Sequence, residues 1–120
     1  MKHDLEIIRK ILINLNSYQN KEIDDANINY HFNLLIDLKL IKQPSILRDG
    51  QLRYYTELNY TEKGYDLLTH ISNNTVWESI KKTLYENNFT VSEVPIEVIK
   101  KLSEKIMMDM FGGKQNGSSI

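Results

Sequence analysis

The sequence predicts an α+β protein, and three observations carry the prediction. Residues 28–41, INYHFNLLIDLKLI, repeat apolar side chains at helical spacing. Leu52 to Asn59 then alternate in character with a period of two, after the turn signal Asp49-Gly50. The segment from Thr61 to Leu68 returns to a helical period. A helix, a two-stranded ribbon and another helix, in that order, is the layout of a winged helix-turn-helix, here with two additional C-terminal helices.

Taken in order, the first helix covers 4–15. Leu5, Ile8, Leu12 and Leu15 recur at spacings of three and four, flanked by Ile7 and Ile11, and Asp4 suits the N-cap. Residues 16–27 are polar and aperiodic, a loop with room for one short helical turn rather than a full second helix. Asp24 or Asp25 caps the recognition-type helix, 25–39. Ile28, Phe32 and Leu35 fall on one face of it and Tyr30, Asn33 and Asp37 on the opposite one. Leu40 and Ile41 then enter the core as a short strand that Pro44 stops.

The wing covers 46–60. Ile46 to Arg48 form one strand, and Asp49-Gly50 supply the two central residues of a type I′ turn, which needs positive φ at both. The tip is Arg48-Asp49-Gly50-Gln51, and Leu52, Tyr54, Thr56 and Leu58 alternate with Arg53, Tyr55, Glu57 and Asn59 in the return strand. Thr61 caps the helix 61–72, whose inward stripe is Gly64, Leu67, Leu68 and Ile71. A glycine inside a helix costs about 1 kcal/mol, so Gly64 predicts a close approach to the sheet. Helix 75–87 carries Val76, Trp77, Ile80 and Leu84, with Trp77 as the hinge of the core between the winged helix and the last two helices. The last helix, 93–111, starts near Ser92 with Pro95 in its first turn and a stripe of Val98, Ile99, Leu102 and Ile106. Gly112 opens a disordered tail, 112–120.

At 120 residues the chain has the length of one domain, 1–111, before that tail. Its 15 basic and 16 acidic residues give a net charge of −1, so non-specific attraction to a phosphate backbone is weak. It contains no cysteine, which excludes disulfides, thiolate metal sites and cysteine nucleophiles and fits a reducing compartment. Without an apolar run of about 20 residues or a signal peptide, the expectation is a soluble, cytoplasmic protein that does not meet a membrane.

Four ordered blocks bring a family into view. They are K-x-D-x-x-x-I-R-K-I-L from Lys2, I-x-Y-H-x-x-L-L-x-D-x-x-L-I from Ile28, T-x-x-G-x-x-x-L from Thr61 and T-V-W-x-x-I-K-x-x-L from Thr75. Together they resemble an uncharacterised family, a domain of unknown function found largely in phages, prophages and other mobile elements of low-GC Gram-positive bacteria. The resemblance implies a winged-helix protein similar in layout to MarR-like and PadR-like regulators. It implies no catalytic or binding residue. Residues 16–26, short and acidic, depart from the usual regulators where their second helix stands.

The candidate DNA-contacting residues are Asn27, Tyr30, Asn33 and Leu34 on the recognition-type helix, with Lys42, Arg48 and Arg53 on the ribbon. An Asn amide pairs with adenine, a Leu meets a thymine methyl, and wing arginines hold a phosphate backbone or enter a minor groove. Against them stand Glu22, Asp24, Asp25 and Asp37 and the plainer reading of a solvated polar face. Tyr54, Tyr55, Tyr60 and Tyr65 suit a stacking platform, but cross-strand packing is the simpler use. His3, His31 and His70 have no metal-ligand spacing, and no nucleophile, phosphate-cradling loop or cofactor motif is present, so no cofactor, metal or enzymatic activity is expected. Met107, Met108, Met110 and Phe111 add more apolar surface than one stripe needs and mark a homodimer interface. Two functions follow: a small DNA-binding regulator of a mobile element reading double-stranded DNA, or a non-catalytic protein-binding module such as a phage factor that engages a host or phage protein.

Overall fold

A computed structural model describes residues 3–50, 52–90 and 94–112, without the side chains of Leu52 and Arg53. Among these residues the protein is α+β, with five α-helices and one antiparallel two-stranded sheet. The chain divides into two compact units, Met1–Leu68 and Thr69–Ile120.

In the first unit, α1 (Leu5–Ile13) begins where the Asp4 carboxylate accepts the Glu6 N–H at 2.9 Å. It buries Leu5, Ile8, Ile11 and Leu12. The helix ends before Leu15, whose side chain is buried instead from a 3-10 turn, Leu15–Tyr18. The second helix, α2 (Ala26–Asp37), is capped by Asp25, whose Oδ1 accepts the N–H groups of Asn27 and Ile28 at 2.8 and 3.2 Å. Phe32 and Leu35 are buried on its inner face, and so is His31. It closes with Lys39 at φ 60°, the Lys39 N–H on the Ile36 carbonyl and the Leu40 N–H on the Leu35 carbonyl. That is the Schellman closure, which favours glycine at the position lysine holds here.

Leu40 and Ile41 are buried, Ile41 making a single antiparallel bridge to Tyr60. The ribbon follows as β1 (Ser45–Asp49) and β2 (Leu52–Thr56). Asp49 pairs with Leu52, so the turn is shifted by one residue from the sequence expectation. Gly50, at φ 65°, takes the first position inside the loop, a conformation that glycine adopts without steric cost, and Asp49 stays in the ladder. Alternation fails just past the end of β2: Tyr55 and Leu58 are both buried although they stand three positions apart. Glu57, at φ 59°, turns the chain by the half-step that brings Leu58 inward. Beside it, the Leu58 N–H donates to Gln19 Oε1 at 2.8 Å and Ser45 Oγ donates to Glu57 Oε2 at 2.7 Å.

The next helix, α3 (Glu62–Ile71), starts at Thr61, whose Oγ1 accepts the Gly64 N–H at 3.0 Å and donates to the Lys39 carbonyl. Gly64 approaches the backbone of Leu40, not the sheet. A Cβ there would overlap the Leu40 carbonyl oxygen and lie 2.7 Å from its carbon.

In the second unit, α4 (Asn74–Glu86) is capped by Asn73, which accepts the Val76 N–H at 3.1 Å, and buries Val76, Trp77, Ile80 and Leu84. It closes with a second Schellman turn, Asn88 at φ 65° and the Phe89 N–H on the Leu84 carbonyl at 2.8 Å. The last α-helix, α5 (Ile96–Met107), packs against α4 and begins after Pro95, which stands at the N-cap and not inside the first turn. The expected start at 93 lies outside the described residues. Ile96, Ile99 and Ser103 form the buried stripe of α5, whereas Val98 is 45% exposed and Leu102 half-buried. The apolar surface of α5 is therefore wider than the predicted stripe and rotated from it. One π-helical turn, Met108–Gly112, ends the description, so Gly112 still belongs to a helical turn, and residues 113–120 lie outside it.

Candidate nucleic-acid interface

The residues singled out for DNA contact fall on two elements of the first unit, α2 and the ribbon with its base. On α2, Asn33 and Asp37 are exposed, while Tyr30, Leu34 and Asn27 are half-buried. With a period of 3.6 residues, Ala26, Tyr30, Asn33 and Asp37 share the outer face. Asp37 therefore sits among the candidate base-reading groups, and Asp25 fills the helix N-terminus with its own carboxylate. That carboxylate takes the N–H groups that a phosphate would otherwise use. Exposed Glu22 and Asp24 precede it, and with Ser17, Tyr18, Lys21, Asp25 and Ile28 they line a shallow hollow of about 320 Å³.

The ribbon is different. All five residues of β1 are exposed, among them Arg48 and the apolar Ile46 and Leu47. Arg48 and Arg53 are direct partners in the antiparallel register, and Lys42 is exposed at the ribbon base. Like charges set directly opposite one another destabilise a strand pair. The side chain of Arg53 lies outside the described residues.

Behind α2 the packing is aromatic and polar. Tyr55 is fully buried, stacks on Phe32 with ring centroids 4.7 Å apart, and donates to Asn29 Oδ1 at 3.2 Å. Tyr60 donates its hydroxyl to the Leu12 carbonyl and meets Tyr65 edge to face at 6.2 Å. Two of the four tyrosines are thus committed to packing, and Tyr65 remains 60% exposed.

His31 escaped sequence reading. Its ring is fully buried, with Nδ1 at 2.7 Å from the Asn27 carbonyl and Nε2 accepting the Asp4 N–H at 3.0 Å. A carbonyl only accepts and an N–H only donates, so these neighbours select the neutral ring with its proton on Nδ1. The residue ties the start of α1 to the first turn of α2, and only its partners, 27 residues apart in one case, mark the role. His3 lies nearby with Nε2 buried and unbonded. Burial holds its pKa below the ordinary histidine value, and the Asp4 carboxylate opposes it.

The proposed dimer residues lie in the second unit. Met108 and Phe111 are 66% and 57% exposed, while Met107 and Met110 are half-buried. Among the described residues no cluster of His, Asp or Glu is arranged to hold a metal ion, and no helix is long and apolar enough to cross a membrane.

Comparison with known proteins adds relatives. An uncharacterized protein of Haemophilus influenzae is 28% identical over 120 aligned residues, covering 92% of this chain and 98% of the relative. No solved structure matches. The family model described as "Hypothetical protein (DUF2513)" matches residues 2–90, and over that span, which includes the capped α2, the ribbon and α4, the chain belongs to the DUF2513 family.

Proposed function

We propose that this chain is a non-catalytic DNA-binding protein of winged-helix design. In this reading α2 lies in the major groove, the β1–β2 wing rests on the backbone, and a second copy pairs through Met107, Met108, Met110 and Phe111. A role as a regulator carried by a mobile element belongs to the same reading. The observation that carries it is the arginine pair: Arg48 opposite Arg53 at the end of an exposed ribbon is an arrangement that phosphate oxygens relieve. Asn33 and Tyr30 on the outer face of α2 supply the base-reading groups.

One feature favours a second reading, a protein-binding module. The outer face of α2 is framed by Asp25 at its start and Asp37 within it, with Glu22 and Asp24 just before. A basic protein surface complements that set better than a duplex does.

Titration against duplex DNA drawn from upstream of the gene, at two salt concentrations with unrelated competitor, separates the two. The expected result is specific retention with a steep salt slope, with Arg53→Ala weakening all sequences alike and Asn33→Ala eroding discrimination by about 1–3 kcal/mol. Binding that never exceeds competitor at about 50 mM salt, where phosphate contacts are strongest, rejects the DNA reading in favour of a protein partner.

A further inference from the structure

The second unit contains a groove that the DNA reading does not use. Its walls are the C-terminal end of α4, with Thr83, Leu84 and Asn87, and the side of α5 that carries Val98 and Leu102; Phe89 and Val94 close it between the helices. Its volume is about 540 Å³, inside the range of roughly 300–1,000 Å³ typical of small-molecule sites. The floor is apolar. Among the described residues, the ionisable ones lining it are Lys101 and Lys105, both exposed and one helical turn apart on α5. Neither lysine makes an ion pair among the described residues.

The apolar floor follows from the width of the apolar surface of α5. Ile96 and Ile99 face the core, while Val98 and Leu102 lie on the flank that lines the groove. An occupant must match two properties at once, an apolar body over Val98, Leu102 and Phe89 and a negative head at the two ammonium groups. A neutral apolar molecule would leave the attraction of the two ammonium groups unused, and a cation would be repelled.

We propose that this groove binds a free single-chain carboxylate, its acyl chain lying along Val98 and Leu102 and its carboxylate held between Lys101 and Lys105. Contact is non-covalent. The site lies wholly within the second unit and stands or falls independently of whether α2 meets DNA.

The test is an NMR titration of the full-length protein with sodium decanoate, well below its micellar concentration, alongside 1-decanol and the double variant Lys101→Glu/Lys105→Glu. Both lysines are exposed, so the variant keeps the fold, which its unperturbed spectrum outside α5 verifies. The expected result is saturable one-to-one binding, with shifts confined to the end of α4 and to α5. Affinity should fall by about tenfold or more in the double variant and weaken with salt, and decanol should bind less well than decanoate. Val98→Asp should weaken binding too, by setting a charged group against the acyl chain. The proposal is overturned by non-saturable shifts, by shifts centred elsewhere, by equal affinity for decanol, or by a double variant that binds as the wild type does. A dimer in sedimentation whose interface maps to these same residues, with no decanoate binding, would also overturn it and give the groove to a second copy of the chain.

Discussion

The two units of this protein are held in different ways. In the first, side chains reach far along the chain to fix backbone atoms: His31 takes the Asp4 N–H, Tyr60 reaches the Leu12 carbonyl, Gln19 takes the Leu58 N–H, and Lys63 Nζ donates to the Leu38 carbonyl at 3.2 Å. The α4–α5 pair buries Val76, Trp77, Ile80, Leu84, Ile96 and Ile99, and Phe89, Val98, Met108 and Phe111 remain more than two-fifths exposed. The first unit is a region in which side chains fix backbone atoms far along the chain, and the second is one whose last helix and closing turn leave apolar side chains uncovered. Pinned geometry suits the reading of a rigid shape such as a duplex groove. Surplus apolar surface suits capture of something apolar.

Gly64→Ala breaks the pinned region most severely. The added methyl would overlap the Leu40 carbonyl, and backbone on both sides leaves no flexible group to yield. Overpacking of this kind costs about 1–3 kcal/mol and occasionally more. Denaturant unfolding should show a loss at or above the upper end, although alanine has the higher helix propensity; a neutral or stabilising result would mean that the α3 approach to Leu40 is looser than described.

Lys39→Gly should act in the opposite direction. Lys39 holds the left-handed position of the α2 Schellman turn at φ 60°, where a side chain costs roughly 1–2 kcal/mol and glycine none. Part of that gain is offset by the greater freedom of glycine in the unfolded chain, leaving a net stabilisation of about 1 kcal/mol, read as a higher denaturation midpoint. The matching change at Asn88, Asn88→Gly, should gain less, because asparagine already tolerates this conformation.

The smallest effect is a pH dependence centred on His3. His3 has a folded pKa below its unfolded value, so near neutral and mildly acid pH the unfolded chain binds more protons than the folded one. Its contribution to stability is intact above about pH 6.5, the ordinary histidine value, and is lost as the pH falls from there through the lowered folded pKa. Thermal midpoints compared at pH 7.5 and pH 5.5 should drop in the wild type and drop less in His3→Gln. Equal drops would remove His3 as the cause.

Much of the first unit was legible in the sequence because its signals are local. Asp4, Asp25 and Thr61 announce helix starts through side chains that satisfy N–H groups two or three residues on, and the 3.6-residue period marks the outer face of α2. The displaced hairpin turn, the half-step at Glu57 and the end of α2 at Lys39 were not legible, since non-glycine residues with positive φ, or a register fixed by tertiary contacts, leave no residue-type signature. The role of His31 depends on a partner 27 residues away. The groove arises where two apolar stripes meet, and a periodicity count on α5 merges the stripe facing the core with the stripe left outside.

The bridge between Glu22 and Tyr54, with the Asn20 N–H on the Tyr55 carbonyl at 2.8 Å, places the loop before α2 alongside β2. That loop meets the free side of β2 at Tyr54 and Tyr55, so among the described residues β1 is the more open edge of the ribbon. Partial cover of the β2 edge works against the edge-to-edge growth that an exposed hairpin with two open edges would invite.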